Sequence, residues 1–286
     1  MEPSNWSALY SAVVVMRSRL LAPVDVTGCR DAITNKEDRQ ARRFHILIAL
    51  ILSARTRDQA VTMAMNSLRT ATEGSLTPLS LASLPEERIK DLIGPAGVLF
   101  ANNKARYVRE TSRTIHENYG GMVPTDMKEL LKLSGVGPKT ATIFKQLGDQ
   151  EVVGIAIDTH LQRMLQRWKW VHQGASVEET KRVIESWFPQ ELWKDVNQIL
   201  VGFGQIICGH EPSCELCLVN KMCPSRDKSQ VVTDIEDTYR AVALQRTKLV
   251  SEFGLPQKEC EWTTVERESD DDYKIVSIKT KWLSRA

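Results

Sequence analysis

The sequence predicts an all-α body that carries two pieces of chemistry, a glycine hairpin and a loop of four cysteines. Three observations predict the class. Apolar residues recur at helical spacing through most of the chain before Ser229, capping side chains and glycine or proline stops punctuate them, and no stretch there alternates apolar and polar residues as a half-buried strand would. At 286 residues and 42% apolar content the chain can bury one large core or two ordinary ones.

Composition excludes several classes. There is no apolar run of membrane-spanning length, and Met1 to Asn5 lacks the charged-then-apolar order of a secretory signal, so the chain is expected to stay inside the cell. Arg17 and Arg19 on the first helix leave mitochondrial import open. The net charge is only +2, with nine basic and eleven acidic residues from Ser229 onward, so the body stands at +4 and the tail at −2. Bulk charge this mild does not identify a nucleic-acid binder, which needs a basic stripe instead. Four of the six cysteines fall between Cys208 and Cys223, while Cys29 and Cys260 stand alone. In an intracellular chain such clustering points to metal more than to disulfides.

Taken in order, Trp6, Leu9, Tyr10, Val13, Val14, Met16 and Leu20 mark one amphipathic helix, which breaks at Ala22-Pro23-Val24-Asp25 into a linker reaching roughly Glu37. A helix over Arg39 to Ala54 is apolar almost all round from Phe44 to Leu52 and therefore buried; His45 reads as a satisfied helix residue. Ser53 to Asp58 then places Arg55 and Arg57 at an exposed junction. Further helices are expected over Gln59 to Leu68, Pro85 to Ile93 and Lys104 to Tyr119, and the loop Gly97 to Asn102 is apolar enough to read as core-facing.

The stretch Leu131 to Ala141 predicts two helices joined by a glycine hairpin. Pro124-Thr125-Asp126 supplies the start, and Leu130, Leu131 and Leu133 an apolar stripe. Gly135 and Gly137 flank Val136, so the backbone can take positive φ twice while Val136 plugs the turn into the core. Pro138 suits the first position of the second helix, which is expected to run toward Gly148. Exposed amides of the hairpin and of that helix N-terminus make an anion site, and Lys139 sits in the same first turn. Alone, a Gly-x-Gly with a nearby lysine more often marks an ordinary turn than a catalyst.

Farther on, Asp158 stands at the N-cap of a helix marked by Leu161, Met164, Leu165 and Trp168. Ser176 and Glu179 form a capping box for a helix to about Trp187, and Leu192 to Phe203 make the last helix before the cysteines. Cys208, Cys214, Cys217 and Cys223 are separated by five, two and five residues, a density of thiolates that binds zinc or an iron-sulfur cluster. Zinc sites usually pair two short knuckles. Only the central pair is close here, which favours 4Fe-4S over zinc. His210 lies inside the first loop and reads as solvent-facing.

A helix-hairpin-helix with Lys139 just past its glycines, Asp158 in Ile-Asp-Thr-His, and a terminal four-cysteine loop together resemble the endonuclease III family of DNA glycosylases. The resemblance runs from about Trp6 to Ser225, and Ala22-Pro23-Val24-Asp25, Leu52-Ser53 and Val201-Gly202-Phe203-Gly204-Gln205 look like its eukaryotic branch. It implies a six-helix domain holding the hairpin (37–151), and a 4Fe-4S cluster domain (152–228) completed by the N-terminal helix and linker (1–36), with DNA across the cleft between them. It implies, too, a bifunctional glycosylase and AP lyase that flips an oxidised pyrimidine out of duplex DNA. Lys139 would attack the sugar, and Asp158 would stabilise positive charge and handle protons.

By the same resemblance Gly135, Val136 and Gly137 would hold phosphate, His160 would join the DNA contacts, and Leu99 or its neighbour Val98 would wedge into the stack. Arg55 stands where the family usually has a glutamine, and the first cysteine spacing is one shorter than usual. An adenine-excising relative lacks the lysine, so Lys139 argues for the bifunctional branch. The alternatives are a monofunctional glycosylase and a non-catalytic DNA-binding module. A monomer is expected, acting in the nucleus and possibly in the mitochondrion. The resemblance does not reach residues 229–286. There a helix over Val231 to Phe253 and strands at Trp262 to Val265 and Tyr273 to Ile278 are expected, as a small hairpin, a partner-binding extension or a flexible tail.

Overall fold

The computed structural model describes residues 2–19, 22–26, 38–217 and 219–226, and the backbone of four short strands at 260–262, 266–267, 273–274 and 280–282. Two compact units emerge, Val26–Ala156 and a second made of Met1–Asp25 with Ile157–Ala286.

The first unit is built on helix α3 (Arg39–Ser53), whose N-terminus is capped by Asp38 accepting from the Gln40 amide, and in which every residue from Arg43 to Leu52 is buried. Around it stand α4 (Asp58–Ala71), α5 (Pro78–Ser83), α6 (Glu86–Ile93), α7 (Ala101–Asn118), α8 (Met127–Leu131) and α9 (Pro138–Phe144). Their apolar faces close one core that includes Phe44, Leu47, Val61, Ile89, Val108 and Phe144. His45 is satisfied as expected, its Nε2 lying 2.8 Å from the Leu76 carbonyl.

Three local readings need correction. Helix α5 was not foreseen; Thr77 and Ser80 cap its start reciprocally. Helix α9 passes into a wider turn over Lys145–Asp149 and ends at Gln150, with φ 59°, beyond Gly148. Leu131 is exposed, so the stripe before the hairpin consists of Leu130 and Leu133.

Buried charges fix the approach to the hairpin. The Arg43 guanidinium donates to Asp149 at 2.7 Å and to the carbonyl of Pro124 at 3.0 Å, and Lys145 Nζ donates to the Thr125 carbonyl at 2.9 Å. Each cation meets both an opposite charge and a backbone acceptor, the condition under which burial is tolerated.

The second unit holds α1 (Trp6–Arg19), the single turn α2 (Pro23–Val26, its last residue falling in the first unit), α10 (Thr159–Arg167), α11 (Val177–Glu185) and α12 (Trp193–Ile206). Two short motifs distant in sequence meet here. Arg17 donates to both carboxylate oxygens of Asp25, at 2.8 and 2.7 Å, and the Val24 amide donates to Gln205 Oε1 at 3.0 Å. Gly202 is required because a β-carbon there would lie 2.3 Å from the Arg17 guanidinium. The Ser176 cap is only half a capping box. Its hydroxyl accepts from the Glu179 amide at 3.1 Å, while the Glu179 carboxylate accepts from His172 instead.

Among the described residues before Ser229 no strand occurs. In the tail, Cys260–Trp262 pairs antiparallel with Thr280–Trp282, and Glu266–Arg267 with Tyr273–Lys274. The expected helix at Val231 to Phe253, the end of the linker and Cys29 lie outside the described residues.

Candidate nucleic-acid interface and cysteine loop

The hairpin is held from inside by its own backbone. Asp126 caps α8, its Oδ1 accepting from the amides of Lys128 and Glu129 at 2.8 and 3.2 Å. The Val136 amide donates to the Leu133 carbonyl at 3.1 Å, and Val136 is buried. Ser134 ties the turn to α7, its hydroxyl donating to Glu110 and its carbonyl accepting from Thr111, both at 2.8 Å.

The two glycines differ in what demands them. Gly135 has φ 78°, and a β-carbon there would lie 2.9 Å from the Tyr107 β-carbon. Gly137, expected at positive φ, has φ −94° instead, and its added β-carbon would meet nothing within 4 Å. The fold needs Gly135, whereas only an approach from outside gives Gly137 a reason. Pro138 opens α9, and Lys139 follows it, exposed and with no hydrogen-bond or ion-pair partner among the described residues.

Two more turns of the same unit present residues expected to meet DNA. Arg55 is exposed at φ 54°, between α3 and α4. The apolar loop splits in its roles: Val98 is buried, which removes it as a wedge, while Leu99 and Phe100 are 54% and 55% exposed. Phe100 takes φ 58°, and the Arg55 guanidinium lies 6.0 Å from the centre of its ring.

Behind these turns sits a residue that sequence reasoning missed. Lys104 is buried, and its ammonium donates at 2.6 Å to each of the Leu52 carbonyl, the Ala54 carbonyl and Thr56 Oγ1. Desolvation lowers its pKa to about 8. Its place four residues before Val108, on the face that carries Thr111 and Ile115 into the core, was the available signal.

In the second unit Asp158 is the N-cap of α10, half-buried, with Oδ1 accepting from the Leu161 amide at 2.8 Å. A carboxylate has two oxygens, so capping leaves acceptor capacity for another task. His160 is half-buried, its β-carbon 3.0 Å from where a side chain on Gly204 would begin and its Nδ1 3.1 Å from Arg163.

The four cysteines of the loop, Cys208, Cys214, Cys217 and Cys223, line one pocket with about 370 Å³ of empty space, together with Arg167, Trp168 and Phe203 among others. All four are free thiols. Burial pushes the thiols of Cys208, Cys217 and Cys223 up. Arg167 donates to Cys208 Sγ at 3.3 Å and to the carbonyls of Gly209 and His210, while Asn220 donates to the Cys214 carbonyl at 2.7 Å. His210 is exposed, as expected. Among the described residues no three His, Cys, Asp or Glu side chains group closely enough to hold one metal ion.

This architecture has known counterparts. Residues 48–190 match the family described as HhH-GPD superfamily base excision DNA repair protein. Endonuclease III-like protein 1 of Gallus gallus is 37% identical over 226 residues, covering 78% of this chain and 79% of that one. The chain belongs to the HhH-GPD superfamily of base excision DNA repair proteins.

Another superfamily relative, the endonuclease III homolog of Schizosaccharomyces pombe, is 31% identical over 279 residues, covering 93% of this chain and 77% of that one. The solved structure of a trapped endonuclease III-DNA covalent intermediate, an estranged-adenine complex, matches with a TM-score of 0.63 at 27% identity, covering 76% of this chain and 93% of that one. The helical body is thus the helix-hairpin-helix glycosylase fold of this superfamily.

Proposed function

We propose that this base excision DNA glycosylase and AP lyase releases oxidised pyrimidines of the thymine glycol kind from double-stranded DNA through an imine on Lys139. The observation that carries the reading is an exposed Lys139 without a competing carboxylate among the described residues, next to a hairpin whose Gly137 leaves the backbone open. The relative trapped covalently on DNA supports the same chemistry.

The damaged nucleotide must leave the stack before its glycosidic bond is accessible. The neutral Lys139 amine forms a bond to C1′ as the bond to the base breaks, and the base departs with that electron pair and a proton. The C1′–O4′ bond then breaks as the nitrogen lone pair closes the iminium, O4′ leaving with the bonding pair and taking a proton relayed by Asp158. The iminium acidifies C2′, and loss of a proton there expels the 3′ oxygen with its phosphate, which cuts the strand 3′ to the lesion. Asp158 stabilises positive charge on the sugar and relays protons. The amides of Gly135, Val136 and Gly137 hold phosphate, Leu99 fills the vacated stack, and Arg55 donates to the orphaned base. His160, half-buried against α12, keeps only its outer edge for DNA.

Cys208, Cys214, Cys217 and Cys223 would hold a 4Fe-4S cluster. An all-sulfur donor set around one pocket, with the Arg167 donor aimed at Cys208, suits thiolate ligands. Only Cys214 and Cys217 form a short knuckle, and the outer two cysteines approach singly, which favours a cluster over zinc. When bound, the cluster supplies a covalent staple for the loop. Residues 37–151 then read as the hairpin domain, with α5 added to the six helices expected, 1–36 with 152–228 as the cluster domain, and 229–286 as an extension. The protein acts as a monomer, in the nucleus.

Borohydride trapping on a duplex with one thymine glycol tests the reading. Wild type should give a covalent band and Lys139→Gln none while still binding DNA. Equal strand cutting by Lys139→Gln would remove the lysine from the chemistry. Tight binding with no band from wild type would favour a monofunctional glycosylase or a non-catalytic module.

A further inference from the structure

The turn that carries Arg55 and the loop that carries Leu99 and Phe100 belong to different connections of the first unit, yet they share one buried hub. All three protons of the Lys104 ammonium are used, on Leu52, Ala54 and Thr56. The Thr56 hydroxyl is fully used as well. It accepts from Lys104 at 2.6 Å and from the Leu99 amide at 3.2 Å, and it donates toward the Ala54 carbonyl at 3.4 Å. Lys104 therefore grips the Arg55 turn from two carbonyls and one hydroxyl, and that hydroxyl also grips the Leu99 backbone.

Both tips are backbone conformations that need such support. Arg55 at φ 54° and Phe100 at φ 58° occupy the left-handed region, which non-glycine residues adopt only at a steric cost. Their side chains meet, guanidinium over ring at 6.0 Å, and the exposed apolar surface of Leu99 and Phe100 has no covering partner among the described residues.

We propose that Lys104 and Thr56 are positioning residues that couple the Arg55 turn to the Leu99–Phe100 loop, so that the two enter duplex DNA as one rigid two-pronged element opposite the flipped pyrimidine. The inference rests on the glycosylase reading above and adds to it a way of setting the distance between wedge and orphan-base contact. It also adds Phe100 as a stacking surface beside Arg55 for the estranged base.

The test uses the full-length protein on a duplex with thymine glycol opposite 2-aminopurine, whose fluorescence rises when it is unstacked. Thr56 is half-buried at a turn, so Thr56→Val removes the shared hydroxyl without opening the core, and Thr56→Ser restores it. Thr56→Val should lower single-turnover base release by about ten- to a hundredfold and abolish the fluorescence rise, as misplacement of a supporting element does. Thr56→Ser should stay within about twofold of wild type.

The losses from Arg55→Ala and Leu99→Ala should combine less than multiplicatively when Thr56 is present and multiplicatively in Thr56→Val. Wild-type behaviour of Thr56→Val, or an equal loss in Thr56→Ser, overturns the coupling while leaving the glycosylase reading intact. A wild type that releases no base and traps no covalent complex overturns both.

Discussion

The two units place their chemistry by opposite means. In Val26–Ala156 the hairpin is fixed by backbone and packing: an aspartate cap, a left-handed Gly135 against Tyr107, a buried Val136 and a hydroxyl tie to α7. In the other unit the loop of Cys208 to Cys223 is fixed by side chains reaching carbonyls, from Arg163, Arg167 and Asn220, around a pocket lined by thiols. The first arrangement is complete as a fold. The second leaves two buried thiols, Cys208 and Cys217, and a half-buried one, Cys223, whose charged forms burial disfavours, and on the cluster proposal it is finished by what those thiols would hold.

The largest expected effect separates the units on that ground. Cys217→Ser should lose bound iron and visible charge-transfer absorption, and should strip hydrogen-exchange protection from α10, α12 and the loop, a loss of several kcal/mol of the kind metal-dependent folds show. Helices α3 to α9 should keep their protection. Equal loss in both units, or none in either, would break the comparison.

Next in size, Gly135→Ala attacks the hairpin through the fold alone. The φ of 78° and the contact at 2.9 Å with the Tyr107 β-carbon, an atom close to the backbone that cannot swing away, combine to about 2–4 kcal/mol of destabilisation in urea unfolding. Iron content should not change. A substitution within about 0.5 kcal/mol of wild type would mean that the turn is softer than its geometry indicates.

What could be read in advance follows the same division. Elements set by local rules were legible: the Asp158 cap, the apolar run of α3, the glycine hairpin and the cysteine spacing. What depended on tertiary partners was not. Leu131 sits beside the buried Leu130 yet faces out, and Glu179 finds His172 instead of closing a capping box. Lys104, in the first turn of α7, reads as solvated until the carbonyls of a distant turn are known. The split of Gly97 to Asn102 into a buried Val98 and an exposed Leu99 likewise depends on the Thr56 hydroxyl, 43 residues back, that holds the Leu99 amide.

Lys104 gives the first unit a pH signature. Its folded pKa of about 8 lies below its ordinary 10.5, so below pH 8 both states hold the proton and the burial penalty is in full force. Between those values the unfolded chain binds more protons than the folded one, and stability rises with pH. Measured against Lys104→Met, which cancels all other titrations, wild type should gain up to about 1 kcal/mol per pH unit across that window. A flat difference would mean that the three acceptors offset the burial.

The smallest expected effect on stability is the sharpest on function. Gly137→Ala meets open space at an ordinary φ of −94°, so unfolding should shift by no more than about 0.5 kcal/mol, in contrast with Gly135→Ala two residues away. If the hairpin amides take phosphate, the added methyl stands where the DNA backbone would come. Affinity for an undamaged duplex should then fall by about tenfold or more, the equivalent of one lost charge-assisted contact, with a similar loss on damaged duplex because phosphate contacts carry no sequence or lesion information. Unchanged affinity at unchanged stability would leave Gly137 without a reason in either the fold or the interface, and would move the phosphate site away from this turn.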